Sequence, residues 1–230
     1  MSSQITDIKK RKKLQSLIYK PFFLLLILIQ ISSLSASGQS WKLIKEKNGI
    51  KVYARPYKNT KHRELKAFAV FNTSLSSLVS VIKDDKSVPD WINRMKIFKN
   101  IKVLNDFQWY TYAELSLPWP YNNRDLISLN TLKQTKNGVV IIDIENKPQF
   151  LPKKNKKVRM QHARGYWRFK PLGNGKTLVT YQFYAQPNLG LPTWIINPLA
   201  TKGVYNTLKK LRNIVKRPQY QRASISYIRP

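Results

Sequence analysis

Arg124-Asp125, Tyr112, Glu114 and His162 are the residues whose types could do acid–base chemistry if a fold brought them together. No Ser-His-Asp order, phosphate-cradling glycine loop, paired-histidine motif or carboxylate cluster accompanies them. His62 and His162 are the only histidines, and neither has a companion at metal-ligand spacing. The chain has no cysteine, which excludes disulfides, thiolate catalysis, a lipidated cysteine and cysteine-based zinc sites. Motifs therefore assign no catalytic residue, no metal and no cofactor. Alternation along Trp109 to Leu115 also separates Tyr110, Tyr112 and Glu114 from Trp109, Thr111, Ala113 and Leu115. If the second set faces inward, the acid lies outside.

The element most able to organise such residues runs from Leu189 to Lys216. At 100° per residue Ile196, Ala200, Val204, Leu208, Leu211 and Val215 fall on one face, and Lys202, Lys209, Arg212, Asn213 and Lys216 on the opposite one. Asn197-Pro198 reads as an N-cap and first helical residue, with Leu191 to Ile196 as a separate lead-in turn or a segment kinked by Pro198. One apolar helix face needs a sheet to cover, and a sheet curving around a helix can enclose a cavity. The same stripe also fits ordinary core packing.

Most of the chain ahead of this helix reads as strand. Trp41 to Lys47 is expected to form one or two helical turns, and Asn48-Gly49 a turn. Ile50–Tyr57 and Glu64–Phe71 alternate as a hairpin-like pair, and Ser74 is placed to cap a helix bearing Leu75, Leu78, Val79 and Ile82. Strands follow at Ile97–Leu104, Phe107–Leu117, Arg124–Leu132, Val139–Ile144, Val158–Lys170 and Thr177–Gln186. Gly173-Asn174-Gly175 joins the last two as a hairpin. The lysine-rich Lys147–Lys157 reads as an exposed loop. Sequential strands with short turns and a closing helix make the fold class α+β, with an antiparallel meander. Alternation puts Val179, Tyr181, Phe183 and Ala185 on one face, with Ala163, Gly165, Trp167 and Phe169, and Val140, Ile142 and Ile144, on the matching faces.

Length allows one domain with a real core, and plentiful aromatics mark a globular chain. The charge is extreme: 42 Lys+Arg against 11 Asp+Glu, a net +31. Such a field attracts polyanions such as nucleic acid or anionic lipid head groups. Lys9-Lys10-Arg11-Lys12-Lys13, the apolar run Pro21–Ile31 and the small residues Ala36-Ser37-Gly38 have the layout of a secretory signal peptide over residues 1–38. The apolar run is short of the roughly 20 residues that a membrane-spanning helix needs. An exported, periplasmic or secreted chain is expected, with an anionic membrane surface rather than nucleic acid as partner. Residues 39–216 then form the domain, expected as a monomer, and 217–230 a basic mobile tail.

The segment Leu117-Pro118-Trp119-Pro120-Tyr121-Asn122-Asn123-Arg124-Asp125 resembles a signature of the START family of lipid-transfer domains. The likeness runs from about Asn48 to Arg212. It takes in Gly49-Ile50-Lys51-Val52-Tyr53, Pro89-Asp90-Trp91, Gly165-Tyr166-Trp167, Lys170–Thr177, Val179-Thr180-Tyr181 and Leu191-Pro192, in order. The resemblance implies a helix-grip fold, in which a curved antiparallel β-sheet wraps around a long C-terminal α-helix over a hydrophobic tunnel. It also implies non-catalytic binding of one lipid or similar apolar molecule, with Arg124-Asp125 as a structural pair. The helix and the 117–123 loop would act as a gate. Mapped here, the ligand-binding residues would be Trp109, Trp119, Tyr121, Trp167, Tyr181, Phe183, Trp194, Ile196, Ala200, Val204 and Leu208. Gly203 beside the stripe would let the helix bend or approach closely. Two rival readings remain. One is a polyketide cyclase or aromatase on the related scaffold, needing Tyr112, Glu114 or His162 in the pocket. The other is a cationic protein that binds envelope polyanions without a tunnel.

Overall fold

The computed structural model describes residues 40–58, 60, 62–186 and 192–229. The expected signal peptide, and Leu189 to Leu191 ahead of the helix, lie outside them. Among the described residues the strands are β1 (Lys42–Lys47), β2 (Ile50–Pro56), β3 (Arg63–Asn72), β4 (Met95–Asn105), β5 (Gln108–Leu115), β6 (Arg124–Gln134), β7 (Val140–Asn146), β8 (Val158–Arg159), β9 (His162–Gly173) and β10 (Lys176–Gln186). The helices are α1 (Leu75–Lys83), α2 (Val88–Trp91), α3 (Thr193–Ile214) and α4 (Pro218–Gln221).

The sheet order is β1-β2-β3-β10-β9-β7-β6-β5-β4, with antiparallel neighbours along that path and β8 added parallel to β6. Short turns generate most of this order. The exception joins the two halves of the sheet: β3 pairs with β10 from Leu65↔Phe183 to Asn72↔Lys176. The result is an α+β helix-grip fold, as the strand pattern and the closing helix lead one to expect.

Local signals account for several boundaries. Ser74 Oγ accepts a hydrogen bond from the Ser77 N–H at 3.1 Å and caps α1. Trp41 to Lys47, expected as helical turns, is instead mostly the edge strand β1. Asn48 (φ 53°) and Gly49 (φ 68°) turn it directly back onto β2, and a turn with two positive φ values is the hairpin kind. Helix α3 also begins earlier than Asn197-Pro198 implies. It starts at Thr193 and carries Pro198 inside it. Proline lacks an N–H, so the Trp194 carbonyl loses its ladder bond. That carbonyl lies in the first turns, where Trp194 is exposed and water can replace the bond.

The core is solid at one end of the grip. Leu208 and Leu211 of α3 and Val215 just after it are buried with Leu75, Leu78 and Val79 of α1 and with Phe71, Phe169 and Val179 of the sheet. The segment after α3, expected to be a mobile tail, is packed against this end. Tyr220 and Ile228 are buried. The Tyr220 hydroxyl donates to Asp84 Oδ2 at 2.6 Å, Lys83 Nζ donates to the Tyr227 hydroxyl at 2.9 Å, and the Arg229 N–H donates to Gln134 Oε1 at 2.9 Å. Its basic composition concealed the apolar anchors Tyr220 and Ile228, with Ile225 and Tyr227 packed beside them. Truncating one of them tests the packing: Tyr220→Ala should lower the unfolding free energy by about 3 kcal/mol in urea titrations, whereas a loose tail would leave the midpoint unchanged.

Candidate functional site

Alternation on the concave face of the sheet builds a cavity at the other end of the grip. Trp109, Thr111, Ala113 and Leu115 of β5 and Arg124, Leu126, Ser128 and Asn130 of β6 point into it. Ile144 of β7, Trp167 of β9, and Tyr181, Phe183 and Ala185 of β10 continue the wall. Helix α3 closes the space with Ile196, Ala200, Gly203 and Val204, and the loop after β5 adds Leu117, Pro118 and Tyr121. The enclosed volume is about 280 Å³. Apolar side chains make most of this lining.

The aromatic wall has defined geometry. Trp167 and Tyr181 stack at 4.0 Å and 14°, and Trp91 stands edge-on to Trp167 at 5.8 Å and 70°. Phe183 lies across Gly165. A Cβ at that glycine would come within 2.5 Å of the Gln182 carbonyl oxygen and 2.6 Å of the Phe183 ring, so only glycine fits. Gly203 is different. A Cβ there would meet only Asn93 Nδ2, at 3.8 Å, so the helix does not come close enough to require glycine.

Of the residues expected to contact a ligand, Trp109, Tyr121, Trp167, Tyr181, Phe183, Ile196, Ala200 and Val204 all border the cavity. Leu208 does not; it lies one helical step further on, in the solid core. Trp119 and Trp194 are also off the wall, at 92% and 74% exposure. The 117–123 loop and the first turn of α3 leave both indoles pointing to solvent. Arg124 is one of the wall residues the sequence reading missed, together with His62, Arg63, Trp91 and Arg94. Extending the alternation of Ser128 and Asn130 back along β6 reaches Leu126 and then Arg124.

The acid–base candidates face elsewhere. Tyr112, Glu114 and His162 are not among the cavity-lining residues. Glu114 is fully buried on the outer side of β5, where Lys157 Nζ donates to Oε2 and Asn123 Nδ2 donates to Oε1 at 2.8 Å. Burial raises its pKa, but the hydrogen bonds from Lys157 and Asn123, with the charges of Lys157 and Lys96, outweigh this and hold it below the usual carboxylate value. Tyr112 is pushed up to about 12 by burial, then by the carboxylates of Asp125 and Glu114, with Arg159 opposing. Neither group is poised to exchange protons near neutrality.

Arg124-Asp125 splits across the sheet. The Arg124 guanidinium donates to the Asn122 carbonyl, tying the 117–123 loop to the strand. Asp125, on the opposite face, accepts from Arg159 Nη2 at 2.9 Å, and both are buried. Arg159 also donates to the carbonyls of Pro148, Leu151 and Pro152. The 147–157 loop, expected to be a solvated tip, is thus lashed back along β5 and β6, though Lys153, Lys154 and Lys156 remain exposed.

A concave antiparallel sheet that grips a C-terminal helix over an apolar cavity defines the class of fold. The START domain model matches residues 27–221, and the chain belongs to that family, known for lipid binding and transfer. The crystal structure of a STAR-related lipid transfer protein fragment from Xanthomonas axonopodis is 30% identical, covers 77% of this chain and 99% of its own, and has a TM-score of 0.72. Phosphatidylcholine transfer protein of Bos taurus is 25% identical over 181 residues, which is 76% of this chain and 84% of that protein. Human StAR-related lipid transfer protein 5 is 18% identical, covers 88% of this chain and 98% of its own with a TM-score of 0.68, and shares the fold.

Two outcomes follow from the buried ions. Asp125→Ala leaves Arg159 buried without its counter-charge and should cost about 3–5 kcal/mol in chemical unfolding. Glu114 has a folded-state pKa below its ordinary 4.5, so its contribution to stability is complete above that pH and is lost as pH falls through the depressed value. Glu114→Gln should therefore flatten the acid limb of a thermal-stability profile, with little effect on its slope above neutrality.

Proposed function

We propose that the protein is an exported carrier that binds one lipid or similar apolar molecule in the cavity and exchanges it at the cell envelope. The observation that carries this reading is the 280 Å³ apolar space between the sheet and the first half of α3. A guest there would exchange water for apolar wall at about 25 cal/mol per Å². Binding rather than catalysis is supported by Tyr112, Glu114 and His162 all lying away from that space. Export is supported by the layout of residues 1–38.

Access would lie between the 117–123 loop and the start of α3. Both border the cavity, and the helix is weakest where Pro198 removes a ladder bond. The two exposed indoles, Trp119 and Trp194, sit on these same two segments. Trp favours a membrane–water boundary, and the surplus of Lys and Arg favours anionic head groups. Together they support docking of this end on an anionic bilayer, where the gate would open.

Organic extracts of the purified protein, read by mass spectrometry, should contain an apolar compound in stoichiometric amount. Ala200→Trp, which fills the cavity from the helix side, should lose it while keeping the far-UV spectrum. An empty extract, together with salt-sensitive polyanion binding untouched by Ala200→Trp, would favour the cationic-surface reading instead. For docking, Trp119→Ala and Trp194→Ala should each weaken flotation with phosphatidylglycerol-containing vesicles about tenfold, and added salt should weaken the native protein further.

A further inference from the structure

Two rows of cations run side by side where the edge strand β1 meets α3. Lys42, Lys45 and Lys47 pair with Ala54, Val52 and Ile50 of β2, and those three partners are buried core residues. Directly paired residues of an antiparallel ladder share a face, so the three lysines stand on the helix side of the sheet. Plain alternation would split them. The bulge between Leu43 and Lys45 supplies the extra residue that brings Lys45 and Lys47 round to the face of Lys42. Glu46 is left on the other face, where its carboxylate meets Lys51 Nζ at 3.3 Å.

The second row belongs to the helix. Lys202, Tyr205, Lys209 and Arg212 recur at helical spacing on one stripe, and Lys216 continues it just past the end of α3. Contacts fix that stripe against β1. Lys45 Nζ lies over the Tyr205 ring at 4.5 Å, Asn48 Nδ2 donates to the Tyr205 hydroxyl at 3.4 Å, and Arg212 donates to the Asn48 carbonyl at 2.8 Å. Tyr205 and Arg212 thus face the strand, and Lys202, Lys209 and Lys216 are exposed beside them. Neither α3 nor the helix-side row of β1 contains an Asp or Glu. The charge of this band is therefore not neutralised from within either element.

The spacing and the surroundings restrict what could lie on it. Seven residues of helix advance about 10 Å, so Lys202, Lys209 and Lys216 repeat at that interval over roughly 20 Å. The strand row covers a similar length, about 17 Å. Cations this sparse are a poor match for duplex nucleic acid, which carries a charge about every 1.7 Å of its axis. Stacking of single-stranded bases has no platform, because Tyr205 is buried. A bilayer surface would want apolar side chains to bury beside the charges. Between Lys202 and Lys216 every apolar side chain of the helix is already buried in the grip. What matches is a thin, flexible chain whose anions recur at wide intervals, as they do when alternate sugars of a polysaccharide carry a carboxylate. Asn213, exposed on the same side of α3, adds an amide for sugar hydroxyls.

We propose that the band between β1 and α3 binds a linear acidic polysaccharide with a carboxylate on alternate sugars. The chain lies along the helix axis, between Lys42, Lys45 and Lys47 on one side and Lys202, Lys209 and Lys216 on the other. None of these six residues lines the cavity, so the assignment is independent of what the cavity holds.

Hyaluronate oligosaccharides of defined length supply the probe, with duplex DNA and phosphatidylglycerol vesicles beside them. Two triple variants of the full chain remove the same charge: Lys42→Gln/Lys202→Gln/Lys209→Gln on the band, and Lys153→Gln/Lys156→Gln/Lys170→Gln elsewhere. All six lysines are exposed, and unchanged thermal transitions verify both folds. The band variant should weaken hyaluronate binding in calorimetric titrations about tenfold and make its salt dependence shallower. The control should change it by less than about twofold. Equal losses in the two variants would reduce the effect to net charge and overturn the site. A larger loss for DNA or for vesicles than for hyaluronate would reassign the band to nucleic acid or to a bilayer. No hyaluronate binding by the native chain at low salt would end the proposal outright.

Discussion

Helix α3 packs solidly along only part of its length, and the rest of the molecule follows from that. Its second half sets Leu208 and Leu211, with Val215 just past its end, against α1 and the sheet. Its first half offers Ala200 and Gly203 to the same concave wall, and these are too small to reach across. A sheet curved enough to embrace the bulky half therefore stands away from the slender half. The void is a consequence of side-chain volume on one helix, and close packing elsewhere keeps it from collapsing.

Polar satisfaction is distributed so that this void stays largely apolar. The buried carboxylates Glu64, Glu114 and Asp125 all lie off the cavity wall. Each has a basic partner there: Arg55 with Glu64 at 2.6 Å, Lys157 with Glu114, and Arg159 with Asp125 at 2.9 Å. A large excess of Lys and Arg makes such pairing easy to achieve. It also ties the 147–157 loop to the outside of β5 and β6, and so stiffens the strands whose inner faces form the wall.

The two ends of the grip are held by different contacts. At one end Arg124 ties the 117–123 loop to β6 at the Asn122 carbonyl, and the first turns of α3 lack a ladder bond at Pro198. The far end, by contrast, is held by α1, α4 and the apolar anchors of the last residues.

Much of the wall was legible in the chain, because a strand's period of two is a local property. Trp167, Tyr181 and Phe183 could be assigned to one face from their neighbours alone, whereas alternation set Glu114 opposite Trp109 and left open which of the two faces inward. The Ser74 cap and the Asn48-Gly49 turn are equally local. Other features depended on partners distant in sequence. Trp41 to Lys47 became mostly strand because β2 offered it an edge, Pro198 was tolerated inside α3 because the carbonyl it orphans belongs to the exposed Trp194, and the last residues were ordered by α1. Local pattern determined which side chains share a face. The β3–β10 pairing and the seating of α3 decided whether those faces would meet or stand apart, because long-range contacts alone set how far a helix sits from a sheet.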